Sequence, residues 1–282
     1  MSHAGDLRTE AIDAVLDRVA RGLDTRLDMA TMVRKRRSIG SATDRGTWVR
    51  IERRSLSRIE GQGWNGIEAA AVLDGVLQPR WIAGMSWRDD EARAMWRVDE
   101  TELVTARPVK PGGRLLLDPL LPDAWWESLN GSLDALASQR TTRVATPDTV
   151  TITQDLVSKT IREAFPQPID TTVHTWSAAH ADFHWANVTS SCKCWILDWE
   201  DWGMAPRGLD ASTLWGTSLA LPQLAERVRR ERRADLESAE GRVMALFFCA
   251  KVVGGYGDPA DPLYEPARHE AAGLIKALQA PC

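Results

Sequence analysis

A single change of hydrophobic period, near residue 108, limits the architectures open to this chain of 282 residues. Residues 47–53 alternate with period two and follow an Asp-Arg-Gly turn, which predicts an antiparallel hairpin over 38–54. Beyond a break rich in proline and glycine, Pro108–Gly113, apolar residues recur every three or four positions. That spacing is typical of amphipathic helices. The pattern predicts an α+β fold, with a small antiparallel sheet first and a mainly helical part after the break.

The same break predicts how the chain divides. A chain of this length can bury two hydrophobic cores, so we expect an N-terminal lobe over 1–107 and a C-terminal lobe over 108–282. The first lobe is predicted to contain helices within 7–30 and over 66–77, and further strands over 80–87 and 92–98. The second is predicted to contain helices over 122–140 and 153–165, a polar β segment over 173–199, and about four helices over 206–278.

Composition argues against several classes of function. The formal net charge of -4 is unlike that of dedicated nucleic-acid-binding proteins, which usually carry a strong basic excess. The sequence has no run of about 18 apolar residues, so we expect neither nucleic acid nor membrane as a partner. The N-terminus lacks the layout of a signal peptide, and the four cysteines are too few for a disulfide framework. We therefore expect a cytoplasmic protein.

One polar segment combines the residue types that phosphoryl transfer needs. It reads His180-Ala-Asp182-Phe-His184-Trp-Ala-Asn187 and is followed by an apolar run that ends in Asp198. A hairpin here would bring Asn187 and Asp198 together, with Asp182 projecting from the loop. Amide and carboxylate oxygens suit Mg²⁺, and a separate carboxylate can accept a hydroxyl proton. Asp and Asn also serve as simple turn and cap residues, but all three in this spacing favour a functional role.

The segment resembles the catalytic and metal-binding loops of the aminoglycoside phosphotransferase family, which shares the protein-kinase-like fold. Its H-x-D-x-x-x-x-N spacing is similar to the family's usual His-Gly-Asp-Leu-His-x-x-Asn run. The later Ile-Leu-Asp-Trp-Glu-Asp-Trp-Gly, then Pro206, Arg207 and Asp210, fit the family's continuation. The resemblance is close over about 35 residues and loose elsewhere, and the order of the lobes agrees with it.

The resemblance implies a bilobal α+β kinase-like fold and an O-phosphotransferase that uses ATP or GTP with Mg²⁺. The N-terminal lobe over 1–107 would then bind the nucleotide, and the C-terminal lobe over 108–282 would be the catalytic and acceptor-binding lobe. Asp182 would be the catalytic base that orients the acceptor hydroxyl, and Asn187 and Asp198 would hold Mg²⁺. The residues expected to support the loop structurally are His180, His184 and Asp210.

The N-terminal lobe departs from the family at the phosphate-binding lysine, which kinases place on the third strand and pair with a helix glutamate. Arg50 stands at that position, with Glu68 as its expected partner and Arg53 as the alternative phosphate-binding cation. Alternation places Trp48 on the same face as Arg50, so either Trp48 stacks on the nucleobase or the sheet is rotated. The glycine-rich loop is reduced to Gly-Ser-Ala-Thr, in which Ser41 would cover the phosphates.

The predicted acceptor is a small molecule: an aminoglycoside or another antibiotic, or a metabolite such as a sugar or an amino alcohol. A basic cluster over 227–233 indicates a solvated helix face, although the same cluster would disfavour polycationic aminoglycosides if it faced the acceptor. A non-catalytic nucleotide-binding pseudokinase is the alternative from another class, because the strand lysine is missing. The candidate acceptor-binding residues directly follow the motif and are Glu200, Asp201 and Trp202.

Overall fold

The computed structural model describes residues 6–56, 62–110, 115–255 and 257–279. The chain divides into two compact units: Met1–Val72 with Gln78–Thr105, and Leu73–Leu77 with Ala106–Cys282. The first contains an antiparallel sheet and the second is mainly helical, which confirms the predicted α+β class. The boundary predicted after residue 107 stays a prediction, and part of the predicted break, 111–114, lies outside the described residues. Across the described ranges, no helix is both long and apolar enough to cross a membrane.

The sheet of the first unit has five strands, which are Val33–Arg34 (β1), Ser38–Ala42 (β2), Thr47–Ser55 (β3), Trp81–Asp89 (β4) and Ala94–Glu102 (β5). Their order is β1-β2-β3-β5-β4, with antiparallel neighbours throughout. β2 and β3 are the predicted hairpin. Gly46 in its turn has a φ of 70°, a left-handed conformation that glycine adopts without steric cost.

One face of this sheet is covered by the helix Asp13–Leu23 (α1). The buried side chains of α1 recur at helical spacing and pack with alternate residues of β3, among them Val49 and Ile51. Period-two alternation sends the intervening side chains to the opposite face. We call that opposite face the polar face of the sheet, and it includes Arg50, Glu52, Arg97 and Asp99.

The second helix of the first unit, Gly66–Ala70 (α2), is shorter than the helix predicted over 66–77. Gly75 has a φ of 72° and turns the chain away from a helical path. The apolar residues that suggested a longer helix belong to the second unit, where the Leu77 N–H donates to the Ser132 hydroxyl at 3.1 Å. The prediction of a long helix is therefore wrong, and the Asp-Gly pair before Leu77 is a turn.

Two short strands and seven helices form the described part of the second unit. The strands are Trp176–Ala179 (β6) and Gly203–Pro206 (β7), which pair antiparallel. The helices are Asp123–Ala137 (α3), Gln154–Ala164 (α4), Leu209–Gly216 (α5), Pro222–Glu231 (α6), Arg233–Leu236 (α7), Ala239–Val253 (α8) and Tyr264–Gln279 (α9). α8 is buried along most of its length and packs against α4, α5 and α9. Five helices rather than about four follow β7, because the short α7 separates α6 from α8.

Candidate active site

The candidate active site begins where β6 ends, at a loop that Asp210 holds in place. Asp210 lies in the first turn of α5, and its carboxylate accepts the N–H groups of His180 (2.7 Å) and Ala181 (2.9 Å). The side chain is buried, and burial raises the pKa of the Asp210 carboxyl. Ala181 has a φ of 72°, so the backbone turns sharply between these two bonds and Asp182. The loop is thus fixed by hydrogen bonds to its backbone, independently of any ligand.

The His180 imidazole connects this loop to the segment that leads to Asp198. Its Nδ1 accepts the Asp182 N–H at 3.3 Å, and its Nε2–H donates to the Leu197 carbonyl at 2.9 Å. These two bonds place the ring proton that contacts Leu197 on Nε2. The ring is fully buried and packs edge-on against Trp199, with the ring centroids 4.7 Å apart. His180 therefore positions the backbone on both sides of the site.

Asp182 and Asn187 are joined through the amide of Asn187. Its Nδ2 donates to the Asp182 carbonyl (2.8 Å) and to the carboxylate Oδ2 (2.9 Å). The other carboxylate oxygen, Oδ1, lies 3.3 Å from Nε2 of His184. Because Nδ1 of His184 accepts the Ala186 N–H, Nε2 carries the proton and donates to Asp182. The Asp182 side chain is held at both oxygens but is 40% exposed, so a hydroxyl group can reach it.

Burial and hydrogen bonding change the pKa of Asp182 in opposite directions. Burial raises it, whereas the hydrogen bond from His184 and the charges of His184 and His180 lower it, and the pKa lies below its ordinary value. The same hydrogen bond raises the pKa of His184. Asp182 is therefore ionised at neutral pH and has the protonation state of a general base.

Asn187 and Asp198 lie on neighbouring segments of one hairpin. The Asn187 carbonyl accepts the Leu197 N–H at 2.8 Å, and the two segments are bridged again one residue further on. Asp182 accepts hydrogen bonds from the Nδ2 atom of the Asn187 amide. Among the described residues, no group donates to the Oδ1 atom of Asn187. The side chain is buried. An amide oxygen that accepts no hydrogen bond within the described protein, on a segment that pairs with the one leading to Asp198, fits a hard cation such as Mg²⁺.

No protein-family model matches this chain, and no curated protein sequence matches it. Solved structures do match. The aminoglycoside phosphotransferase APH(4)-Ia superimposes with a TM-score of 0.58 at 12% identity, over 95% of this chain and 98% of that one. The gentamicin complex of APH(2")-IIa gives 0.56 at 13% identity, over 97% and 98%. The amicoumacin kinase hAmiN, solved with AMP-PNP, Ca²⁺ and Ami, gives 0.51 at 12% identity, over 95% and 93%.

The chain has the aminoglycoside phosphotransferase fold. In this kinase-like fold a strand cation pairs with a helix glutamate. Here Glu68 of α2 pairs with Arg97 of β5, with 2.9 Å between Oε2 and Nη2, so the predicted Arg50–Glu68 pair is wrong. Arg50 approaches Glu52 at 3.9 Å instead. The spacing Arg97-x-Asp99 places both side chains on the polar face. The strand predicted over 92–98 leaves Asp99 out, so the sequence pattern does not identify this pair.

Two other residues predicted to bind the nucleotide lie on the α1 side of the sheet. Residues 40–42 belong to β2 rather than to a loop, and the Ser41 hydroxyl is buried and donates to the Asp28 carbonyl at 2.9 Å. Arg53, the alternative to Arg50, is also buried and forms an ion pair with Glu10 at 2.6 Å. Both predictions are wrong, because period-two alternation carries these side chains away from the polar face.

The single glycine of the predicted phosphate loop has a packing role. The Trp48 ring lies directly over Gly40, where a Cβ atom would come within 2.3 Å of it. Gly40 is therefore needed for close approach of an indole. Trp48 itself lies on the polar face, where it remains a candidate for stacking on a nucleobase.

Two of the predicted acceptor-binding residues have different surroundings. Trp202 is 2% exposed, and the guanidinium of Arg143 covers its ring at 5.1 Å. This burial makes Trp202 a core residue, so its ring offers no surface to an acceptor. Glu200 is partly exposed and stays a candidate.

Asp201, the third, belongs to the electrostatic environment of the catalytic loop. Burial raises the pKa of its carboxyl, the hydrogen bond from the Thr146 hydroxyl (2.6 Å) opposes this, and the charges of Asp182 and Asp198 raise it further. The three carboxylates are thus close enough to influence one another. A cation at this point would relieve their mutual repulsion.

The basic cluster over 227–233 ties helices together rather than facing an acceptor. Arg229 pairs with Glu270 of α9 at 2.9 Å. Arg232 is buried and pairs with Asp134 of α3 at 2.9 Å. These ion pairs link α6 and the residue after it to distant helices, so the cluster gives no reason to exclude a cationic acceptor.

Proposed function

We propose that this protein is an ATP- or GTP-dependent and Mg²⁺-dependent O-phosphotransferase that phosphorylates a hydroxyl of a small molecule. The observation that carries the proposal is the double hydrogen bond from Asn187 to the carbonyl and carboxylate of Asp182. It orients an ionised carboxylate while leaving an amide oxygen for a metal. The shared fold supports the same class of chemistry.

The proposed reaction is an in-line displacement at the γ-phosphorus. The acceptor hydroxyl lies against Asp182, which takes its proton as the oxygen–phosphorus bond forms and the bond to the nucleoside diphosphate breaks. Mg²⁺ held by Asn187 and Asp198 would neutralise charge on the phosphate oxygens. His180 and Asp210 keep the loop backbone in place, and His184 keeps the carboxylate of Asp182 from rotating.

We propose an antibiotic as the acceptor, and a cytoplasmic role in antibiotic resistance. Structural neighbours of this chain include an aminoglycoside phosphotransferase and an amicoumacin kinase. The carboxylates of Asp182, Asp198 and Asp201 lie within electrostatic reach of one another, which favours a hydroxyl compound that also carries amines. A sugar or amino alcohol metabolite is the alternative acceptor.

The test is turnover of ATP and GTP against a panel of aminoglycosides, amicoumacin, sugars and amino alcohols, with and without Mg²⁺. We expect one class of acceptor to be phosphorylated and Asp182→Asn to lower kcat by about 10³-fold. Asp155→Asn is the matched control, because that carboxylate is exposed on α4 and its loss should leave kcat unchanged. Asn187→Ala and Asp198→Asn should raise the Mg²⁺ concentration needed for half-maximal rate.

A wild-type chain that binds nucleotide but turns over no acceptor in the panel would favour the pseudokinase alternative. That alternative is motivated by the missing strand lysine, and the paired Asp182 and Asn187 argue against it. Equal rates for wild type and Asp182→Asn would contradict the proposed mechanism.

A further inference from the structure

Arg97 is held at the centre of the polar face by two carboxylates. Its Nε donates to Asp99 Oδ2 at 2.9 Å and its Nη2 to Asp99 Oδ1 at 2.7 Å. The same Nη2 also donates to Glu68 Oε2 of α2 at 2.9 Å. Trp81 fixes Asp99 in turn, since its indole N–H donates to Asp99 Oδ1 at 2.9 Å. The guanidinium is therefore clamped in one orientation.

One nitrogen of this guanidinium is left over. Among the described residues, no group accepts a hydrogen bond from Nη1 of Arg97. The side chain is only 11% exposed, so a donor that carries two N–H groups is held in a mostly buried place. Nη1 is not among the fully buried polar atoms that lack a partner, so a ligand acceptor can reach this nitrogen while the rest of the guanidinium is held in place.

The charges around the polar face are balanced and leave no general attraction for anions. The described arginines of this face each approach a carboxylate: Arg50 and Arg54 approach Glu52 at 3.9 and 2.6 Å, Arg88 pairs with Asp90, and Arg97 pairs with Asp99. An anion bound here must therefore be selected by a positioned donor rather than by an excess of positive charge. Arg97 supplies such a donor, because its guanidinium plane is fixed on one edge and its Nη1 is directed away from both carboxylates.

We propose that Arg97 is the phosphate-binding cation of this protein, taking on β5 the place of the strand lysine, with Glu68 and Asp99 as its positioning residues. The ligand class is the α- or β-phosphate of a nucleoside triphosphate, which accepts from Nη1. This assignment rests on the proposed function. It moves the cation one strand across the sheet from Arg50, and it explains why the glutamate of α2 is retained without a lysine on β3.

The test compares binding of ATP, AMP and adenosine by isothermal titration, in EDTA so that a metal does not contribute. We expect Arg97→Met to weaken the binding of ATP by about tenfold and the binding of adenosine by less than about twofold. Arg97→Lys keeps the positive charge but loses the planar set of guanidinium N–H donors. It should weaken the binding of ATP by about threefold and leave the binding of adenosine unchanged. If the Met variant does not fold, Arg97→Lys alone shows whether Arg97 contributes to phosphate binding. Arg88→Met is the matched control, because Arg88 on β4 is exposed and pairs locally with Asp90, and it should bind ATP like wild type.

The outcomes separate the two proposals. If ATP and adenosine weaken by equal factors in both Arg97 variants, Arg97 is only a structural ion pair between α2 and the sheet, and the assignment is overturned. If ATP binding is unchanged in both, the phosphates are bound elsewhere and the assignment is likewise overturned. A wild-type chain that binds neither ATP nor GTP would overturn the proposed function itself.

Discussion

The catalytic loop of the second unit and the polar face of the first unit hold their charged groups in different ways. In the loop, the side chains of Asp182 and Asn187 are held by residues close in sequence: Asn187 reaches back five residues to Asp182, and His184 lies two residues after Asp182. On the polar face, Arg97 reaches Glu68, which lies 29 residues earlier. The relative placement of the Asp182 and Asn187 side chains thus depends on local spacing, whereas the contact between Arg97 and Glu68 depends on which elements become neighbours.

This difference explains which substitutions each region tolerates. Asp182 and Asn187 can be replaced only by residues that keep their mutual hydrogen bonds, because the partners of each side chain are fixed by sequence spacing. A residue of the polar face can move to a neighbouring strand and still reach the same partner, since side chains on adjacent strands lie side by side. We infer that the loop keeps the family pattern for this reason while the phosphate-binding cation does not.

The largest effect is expected at Asp210, a distant residue that accepts two backbone N–H groups of the loop. Asp210→Ala leaves the buried N–H groups of His180 and Ala181 without their acceptor. We expect a loss of about 3 kcal/mol in the free energy of unfolding and loss of phosphotransfer. Urea denaturation and the rate assay measure both. Asp210→Asn keeps one acceptor oxygen and should cost about half as much.

A matched change at an exposed carboxylate provides the control. Asp155→Asn removes a negative charge from the first turn of α4, where a few tenths of a kcal/mol are at stake. If Asp210→Ala were no more harmful than this control, the loop would be held by its local bonds alone. The loop would then differ from the polar face even more, because no distant residue would be needed to hold it.

The architecture and the position of the loop around Asp182 could be predicted because both depend on local pattern, whereas the catalytic roles of the loop residues stay predictions. Apolar residues that recur at every second position predicted the sheet, and apolar residues that recur every three or four positions predicted the helices. The spacing of Asp182 and Asn187 located the loop. The partner of Glu68 could not be predicted, because it depends on β5 pairing with β3 in a particular register. Ser41 was misplaced for a related reason: one glycine suggested a loop, whereas Gly40 makes room for Trp48 within a strand.

A moderate and pH-dependent effect is expected at the ion pair of Glu10 and Arg53 in the first unit. Arg53 donates to both carboxylate oxygens of Glu10, at 2.6 and 2.9 Å. The hydrogen bond from Arg53 lowers the pKa of Glu10 from its ordinary 4.5, although burial opposes it. Because the pKa of Glu10 is lower in the folded state than in the unfolded chain, its ion pair stabilises the fold fully above pH 4.5. This contribution to the free energy of unfolding is lost as the pH falls through the lowered pKa. We expect Glu10→Gln to cost about 1–2 kcal/mol at pH 7.

Hydrogen exchange of the β3 amides at pH 7, and urea denaturation between pH 7 and pH 3, measure this effect. The stability difference between wild type and Glu10→Gln should shrink as the pH falls below 4.5, because the Glu10 carboxyl is protonated first in the unfolded chain and then, at its lowered pKa, in the folded one. Glu163→Gln on the exposed face of α4 is the control and should alter neither measurement. A difference that stays constant with pH would show that packing, not charge, holds Arg53 against Glu10.

The smallest effect concerns Ala181, the one place where the loop departs from the family's His-Gly-Asp run. Ala181 has a φ of 72°, which costs an alanine roughly 1–2 kcal/mol and a glycine almost nothing. Ala179, two residues earlier, is a buried residue of β6 with ordinary strand geometry. Both changes to glycine remove one buried methyl group, so the difference between them isolates the backbone term. We expect Ala181→Gly to be more stable than Ala179→Gly by about 1–2 kcal/mol in urea denaturation, with phosphotransfer retained. Equal losses would mean that the loop backbone relaxes when Ala181 is replaced, and that Asp210 rather than the left-handed residue sets the direction of Asp182.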